Sequence, residues 1–397
     1  MRRTAGKLAG SPISWDQVRA FRLNRHHLSQ RAPKKALTSV VTDMGGAQAQ
    51  LVSAAQVSLW ARTENLVPAD VNSALWEDRL LAKAWCMRRT VHLLPTEHLA
   101  VFVRGTARRA EKEVRYVLNR GVTAERLEEL LRVVIAVLDR PVTRSQLAVL
   151  VSRELSLPLT TGQWAGWGSR REVPCVKMAN FTFPADFLLH LAGARGVLCA
   201  GPDNEGESTS VRADAWLPRW HDLPGLRAEQ ELLRLYLRAY GPATPSDFKA
   251  WTQMRLADAR TIWTRLESEL EPVDIEGEAK WILRADLREL EHAELPGLSV
   301  CLLPYFDSFL LGHERRGHLL EARHHPQVYR AQGWIAPVLL VNGRVVGVWT
   351  HTRKGDLLTV RVTRFSRLPS GVDPRVRAEA QGLARFLGCS GATTLLS

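Results

Sequence analysis

The chain has 397 residues, 45% hydrophobic and 24% charged, which is ordinary for a soluble globular protein and enough for roughly two to four domains. Its formal net charge is +13, carried by nine lysines and 45 arginines, a balance that points first to nucleic acid and second to an anionic membrane surface. No apolar run approaches the ~18 residues of a membrane span, and no basic amphipathic helix with an exposed aromatic face supports the membrane-surface reading.

Residues 1–13 read as a basic tail. In SWDQVRAFRLNRHHL the apolar residues recur at helical spacing after Ser14, a suitable N-cap, so a first helix is expected. The basic, proline-containing RAPKKALTSVV then leads to Met44-Gly45-Gly46-Ala47-Gln48-Ala49-Gln50, after which LVSAAQVSLWAR runs on as a helix. Side chains two apart on a regular helix face different ways. Gln48 and Gln50 can serve one site only from a helix start or a loop, which Gly45-Gly46 permits. A pair of solvated helix-start residues fits the same letters.

An internal repeat follows. VPADVNSALWEDRL predicts a helix, and LAKAWCMRRTVHLLP a β-like segment ending at Pro95. The pattern returns near 141 with PVTRSQLAVLVSREL, a helix through FPADFLLHLAGARG, and two strands in VLCAGPDNEGESTSVRADAWLP. It returns near 241 with GPATPSDFKAWTQM, LADARTIWTRLESEL and the strand-turn-strand LEPVDIEGEAKWILRADL. Helical stretches at 97–118, 122–139 and 225–240 complete the helix packing of each unit. A proline-bearing turn, two helices and a hairpin is the order of a winged helix-turn-helix, whose second helix and wing commonly touch DNA. Small α+β domains with no DNA role share that order.

After Leu290 the chain turns to β structure. LSVCLLP predicts a strand. Asn342-Gly343 between apolar runs predicts a type I′ hairpin, and HTRKGD a second turn into LLTVRVTRF. The result is a meander of at least three strands, with Arg353 and Lys354 at a tip and DPRVRAEAQGLARFLG as a helix over it. The expected fold is α+β: winged-helix units over 14–110, 111–222 and 223–290, and a β-rich domain over 291–397, packed without long linkers.

Few chemical motifs are present. Cys86, Cys175, Cys199, Cys301 and Cys389 are scattered without a C-x-x-C pair, which argues against a zinc ribbon or disulfide framework and for a reducing compartment. The N-terminal letters lack the apolar core of a secretory signal, so a cytoplasmic, nucleoid-associated protein is expected. The adjacent pairs His26-His27 and His324-His325 do not suit one metal ion. No phosphate-cradling glycine loop or serine-nucleophile elbow occurs. Arg88-Arg89 on the first wing, Arg108-Arg109, Arg170-Arg171, Arg315-Arg316 and Arg353-Lys354 together suit a long basic surface, although each pair alone also fits a solvated face. Trp164, Trp167, Trp216, Trp220, Trp251, Trp334 and Trp349 can stack bases or fill the core. His92 can reach DNA or lie buried and hydrogen-bonded.

GGAQAQ, RRTVHLLPTEHL, YGPATPSDFKAW, LLPYFDSFLLG followed by Arg315-Arg316, and PVLLVNGRVVGVW, in that order, resemble the AlkZ-like DNA glycosylases of the tandem winged-helix superfamily that also contains YcaQ. The resemblance spans about 14–395. It implies three winged-helix units and a β-rich part around a basic concave surface for double-stranded DNA. It also implies monofunctional excision of alkylated guanines, interstrand crosslinks included, without lyase activity, metal or cofactor; a monomer is expected. The family's catalytic Gln-x-Gln falls on Gln48 and Gln50; the YcaQ-like branch has Asp at the second position. The family also uses a cleft hairpin, placed here at 350–356. Members of this branch accompany the biosynthesis of DNA-alkylating natural products as self-resistance enzymes. The competing expectation is a non-enzymatic winged-helix DNA binder, a regulator or lesion shield, which leaves the glutamine motif unexplained.

Overall fold

Local signals in the sequence set most helix starts. In the computed structural model, which describes residues 13–166 and 169–397, Ser14 opens α1 (Trp15–Arg25) with a reciprocal capping box to Gln17, satisfying donors that a helix start otherwise leaves unpaired. The chain continues through α2 (Leu37–Asp43), β1 (Ala47–Gln48), α3 (Val52–Trp60) and α4 (Pro68–Trp76). β2 (Leu81–Trp85) and β3 (Val91–Pro95) then pair antiparallel. α4 starts on Pro68, where the missing N–H has no cost.

After α5 (Leu99–Gly105) and α6 (Glu111–Leu118) the order returns. α7 (Ala124–Ala136), β4 (Val142–Thr143) and α8 (Arg144–Glu154) come first, with a Thr143–Gln146 capping box opening α8. β5 (Leu159–Gly166), β6 (Ser169–Met178) and β7 (Phe181–Pro184) form a three-stranded sheet of their own, which the sequence reading did not foresee. α9 (Ala185–Gly193), β8 (Leu198–Asn204), β9 (Glu207–Arg212) and α10 (Ala213–Trp216) follow, and β4, β9 and β8 make another three-stranded sheet. One core of α7, α8, α9, β6 and β7 side chains, including Leu130, Val134, Leu147, Val176, Phe183 and Leu188, holds this part together. Each such side chain contributes about 1.5–3 kcal/mol when fully buried.

The third pass has α11 (Gly225–Tyr240), α12 (Pro245–Thr252), α13 (Leu256–Arg265), the antiparallel pair β10 (Leu270–Ile275) and β11 (Glu278–Leu283), and α14 (Leu287–Glu291). α1 buries Val18, Ala20 and Phe21 against Val273, Ile275, Ile282 and Leu290, so the first helix is docked on the third hairpin.

The last part is a five-stranded sheet ordered β12 (Val300–Leu303), β13 (Val338–Val341), β14 (Arg344–Lys354), β15 (Leu357–Arg364) and β16 (Gly391–Leu396). α15 (His325–Val328) precedes β13, and α16 (Val372–Phe386) connects β15 to β16. Asn342 and Gly343 both have positive φ, 48° and 77°, as the expected type I′ turn requires. β12 and β13 are buried at every position, and α16, whose Val376, Ala380, Leu383 and Ala384 are buried, packs on β12. The pairing of β15 with β16 is parallel, which requires a crossover such as α16.

The chain divides into two compact units. One takes in the residues up to Asn72, Leu233–Thr252 and Leu256–Ser397; the other takes in Ser73–Leu232 with Gln253–Arg255. All five cysteines are free and buried, and among the described residues no helix is long and apolar enough to cross a membrane.

Three histidines are sealed inside the two units. His26 donates from Nε2 to Ala239 O at 3.0 Å and His313 from Nε2 to Tyr240 O at 2.9 Å; His92 is 1% exposed. Burial is the largest cause that pushes all three well below the usual 6.5, with nearby arginines adding to it. The unfolded chain takes up these protons near pH 6.5 and the folded chain does not. Stability is therefore fully present above about pH 6.5 and falls as pH drops toward the folded values, by up to about 1.4 kcal/mol per pH unit per histidine. Urea midpoints are expected to fall between about pH 7 and pH 5; a flat profile there contradicts three neutral buried imidazoles.

Candidate active site

The glutamine segment is a two-residue strand followed by a bend that leads into α3. Gln48 closes β1 and is 7% exposed. Ala49 and Gln50 bridge to α3, and Leu51 before that helix is extended, with φ −115° and ψ 111°. Gln48 thus ends a short strand and Gln50 stands in the bend that follows it, so the strict alternation of a continuous strand does not set their directions. Gln50 is half-buried, and its Oε1 is buried without a hydrogen-bond partner. A buried carbonyl oxygen left unmatched costs roughly 1–3 kcal/mol, which makes it a ready acceptor for an incoming donor.

The turn ahead of the segment is tightly enclosed. Gly45 and Gly46 have φ of 71° and 86°. A Cβ on Gly45 would sit 3.1 Å from Cε2 of Tyr240 and 3.2 Å from Cζ2 of Trp251. Tyr240, at the end of α11, donates its hydroxyl to Met44 O at 2.9 Å. Behind α3, Arg62 makes a two-pronged ion pair with Asp307, at 2.7 and 2.8 Å, with both side chains fully buried.

The basic positions differ in how free they are. Arg88 and Arg89 form the turn between β2 and β3, both with left-handed φ, 55° and 56°. Arg88 donates to His92 Nε2 at 2.9 Å, and His92 Nδ1 donates to Thr90 O at 3.1 Å. His92 is thus an internal, neutral brace of the turn. Arg89 is exposed and paired with Glu113. Arg170 and Arg171 sit on β6 opposite Ala165 and Trp164; their side chains, and Trp167, lie outside the described residues. Arg315 is exposed, and Arg316 lies over the Tyr329 ring at 3.9 Å. Arg353 donates to Gly355 O at 3.0 Å and to Leu387 O at 3.0 Å, so it clasps the end of α16. Lys354, at the same tip, is exposed.

Sequence reasoning passed over three exposed apolar residues. Leu51 and Val52, 37% and 36% exposed, directly follow Gln50, and Trp85 on the first hairpin is 48% exposed. Trp251 and Trp349 are core residues, and the Trp349 indole N–H donates to Leu303 O at 2.8 Å.

Repeated helix-and-hairpin runs and a strongly basic chain fit the class of proteins that handle DNA. The family described as DNA glycosylase AlkZ-like matches residues 41–386. A curated relative, an interstrand DNA cross-link repair glycosylase from Streptomyces sahachiroi, is 31% identical over 386 residues, covering 95% of this chain and 97% of that protein. The solved structure of the Streptomyces sahachiroi DNA glycosylase AlkZ is similar with a TM-score of 0.79 and 29% identity, over 98% of this chain and 100% of that one. The chain belongs to the AlkZ-like DNA glycosylase family.

Gly45→Ala is expected to destabilise the protein by about 1–3 kcal/mol, since it forces a left-handed alanine against two aromatic rings. A urea midpoint equal to that of the unaltered protein contradicts the described turn.

Proposed function

We propose that this protein is a monofunctional glycosylase that hydrolyses the N-glycosidic bond of cationic N7-alkylated guanines in duplex DNA, interstrand crosslinks included, with Gln48 and Gln50 as its catalytic residues. The observation that carries this reading is the glutamine segment itself: Gln48 at the end of a short strand and Gln50 in the bend after it, behind a turn enclosed by aromatic rings, with the Gln50 Oε1 buried and unmatched.

The residue type fits the substrate class. A neutral carboxamide cannot take a proton near pH 7 as a carboxylate can. It accepts hydrogen bonds and presents a fixed partial negative charge. An N7-alkylguanine already carries a positive charge and leaves as a neutral base, so it needs little acid catalysis. The sugar becomes oxocarbenium-like as the bond lengthens, the kind of cation that glycosidases stabilise with carboxylates. Two amide oxygens can hold the attacking water at C1′ and lower the energy of that cation. Uracil and undamaged bases, which leave as anions or need protonation, fall outside the reach of this chemistry.

The relative's printed name supports crosslinks as substrates. We also propose the organisation read from the letters, three winged-helix units over 14–110, 111–222 and 223–290 with a β-rich part over 291–397. Arg88, Arg89, Arg170, Arg171, Arg315, Arg316 and Lys354 supply charge for the DNA backbone, with His92 supporting Arg88 and Arg353 bracing the tip.

In single-turnover incubation with duplex containing 7-methylguanine, followed by alkali, strand breaks at guanine are expected. Gln48→Ala and Gln50→Ala are each expected to lower the rate by roughly 10²- to 10³-fold, as loss of a fixed electrostatic group does, with duplex Kd nearly unchanged. Wild-type rates in both variants refute the assignment, and no breaks with the unaltered protein leave only a DNA binder.

Lys354→Ala is expected to weaken binding at low salt and to reduce the slope of log K against log salt by about one. An unchanged slope removes Lys354 from the DNA interface.

A further inference from the structure

We infer that the adjacent residues Asp307 and Ser308 are positioning residues for the reaction, Ser308 holding the turn ahead of the segment that carries Gln48 and Gln50 and Asp307 the far end of the helix that follows it. This rests on the catalytic reading of the two glutamines.

The grip is asymmetric. Ser308 Oγ donates to Gly46 O at 2.7 Å, immediately before β1. Asp307 accepts from Ser58 Oγ at 2.6 Å and from both terminal nitrogens of Arg62, on the last turn and just past the end of α3. Asp307 also turns its Oδ1 to the N–H of Phe309 at 3.0 Å, which fixes the carboxylate in its own loop. The segment from Ala47 to Leu51 is therefore anchored ahead by one side chain and behind, through α3, by its neighbour.

Two further observations point the same way. Phe306, directly before the pair, is buried and has a φ of 58°, a conformation that costs a large side chain energy and persists where surroundings impose it. The hydroxyl of Tyr240 lies 2.9 Å from Met44 O and 3.1 Å from Ser308 O. One phenol proton thus bridges the turn before the glutamines and the loop that holds it. Stability alone does not require one loop to hold both the turn before the glutamines and the end of the helix after them. Fixing the direction of the amides does.

Ser308→Ala removes the hydroxyl and leaves the shape. Its single-turnover excision rate is expected to fall roughly ten- to hundredfold, the usual consequence of a misplacement near 1 Å, while Kd for lesion-containing duplex stays within about twofold. Tyr240→Phe is expected to give a smaller loss of the same kind. The decisive measurement repeats Ser308→Ala in the Gln48→Ala/Gln50→Ala background, where no amide is left to position and the rate is expected to change by less than about twofold, because residues acting as a unit are not additive. An equal fold loss in both backgrounds, or no loss in the unaltered one, overturns the positioning role. Gln50→Ala excising at the wild-type rate is a different result: it fails the catalytic reading before Ser308 is touched, and the inference falls with it.

Discussion

The structure of the larger unit turns on one buried ion pair. Arg62 and Asp307 are 245 positions apart and both fully enclosed. Taking two charges out of water is expensive, and their attraction offsets that only with good geometry and further hydrogen bonds. Here the geometry is two-pronged and Ser58 supplies a further bond. Such a pair is seldom worth more than well-packed apolar residues. What it does supply is a single allowed alignment between the end of α3 and the loop after β12. Any slip would leave a charge alone in the interior. That exclusivity is what the glutamine segment, between α3 and the loop's other anchor, inherits.

The charge of the chain is also more committed than its sum suggests. Arg25 pairs with Asp286 and Glu289, Arg31 with Glu379, Arg108 with Glu229 and Arg234 with Glu269. Of the doublets read from the letters, Arg89 meets Glu113, Arg316 lies on an aromatic ring and Arg353 holds backbone carbonyls. Paired arginines still contribute to the long-range field that draws in a polyanion. Arg315 and Lys354 are among the cations left facing water.

What was legible in the letters was what local chemistry decides. Ser14, Pro68, Pro245 and Asn342-Gly343 each announced a cap or a turn, and the helices and hairpins around them stand where expected. The β5–β6–β7 sheet was missed because LTTGQWAG alternates poorly and is rich in small polar residues. β16 was missed because a short parallel edge strand gains its pairing only through a distant crossover. At the site, Gln48 and Gln50 stood out through their family likeness, and DSF was visible as letters. The role of those letters was not, because Gly46 and Ser308 meet across 262 positions and no periodicity encodes that contact.

The clasp of Arg353 on Leu387 has a mechanical meaning. β15 lies between β14 and β16, so the tip at Gly355 is tethered to a helix end and flanked by a third strand, unlike a free two-stranded finger. A stiff peg of this kind has little motion left to lose when something binds it. Whatever it meets has to adapt to the peg, so deformation falls on the softer partner.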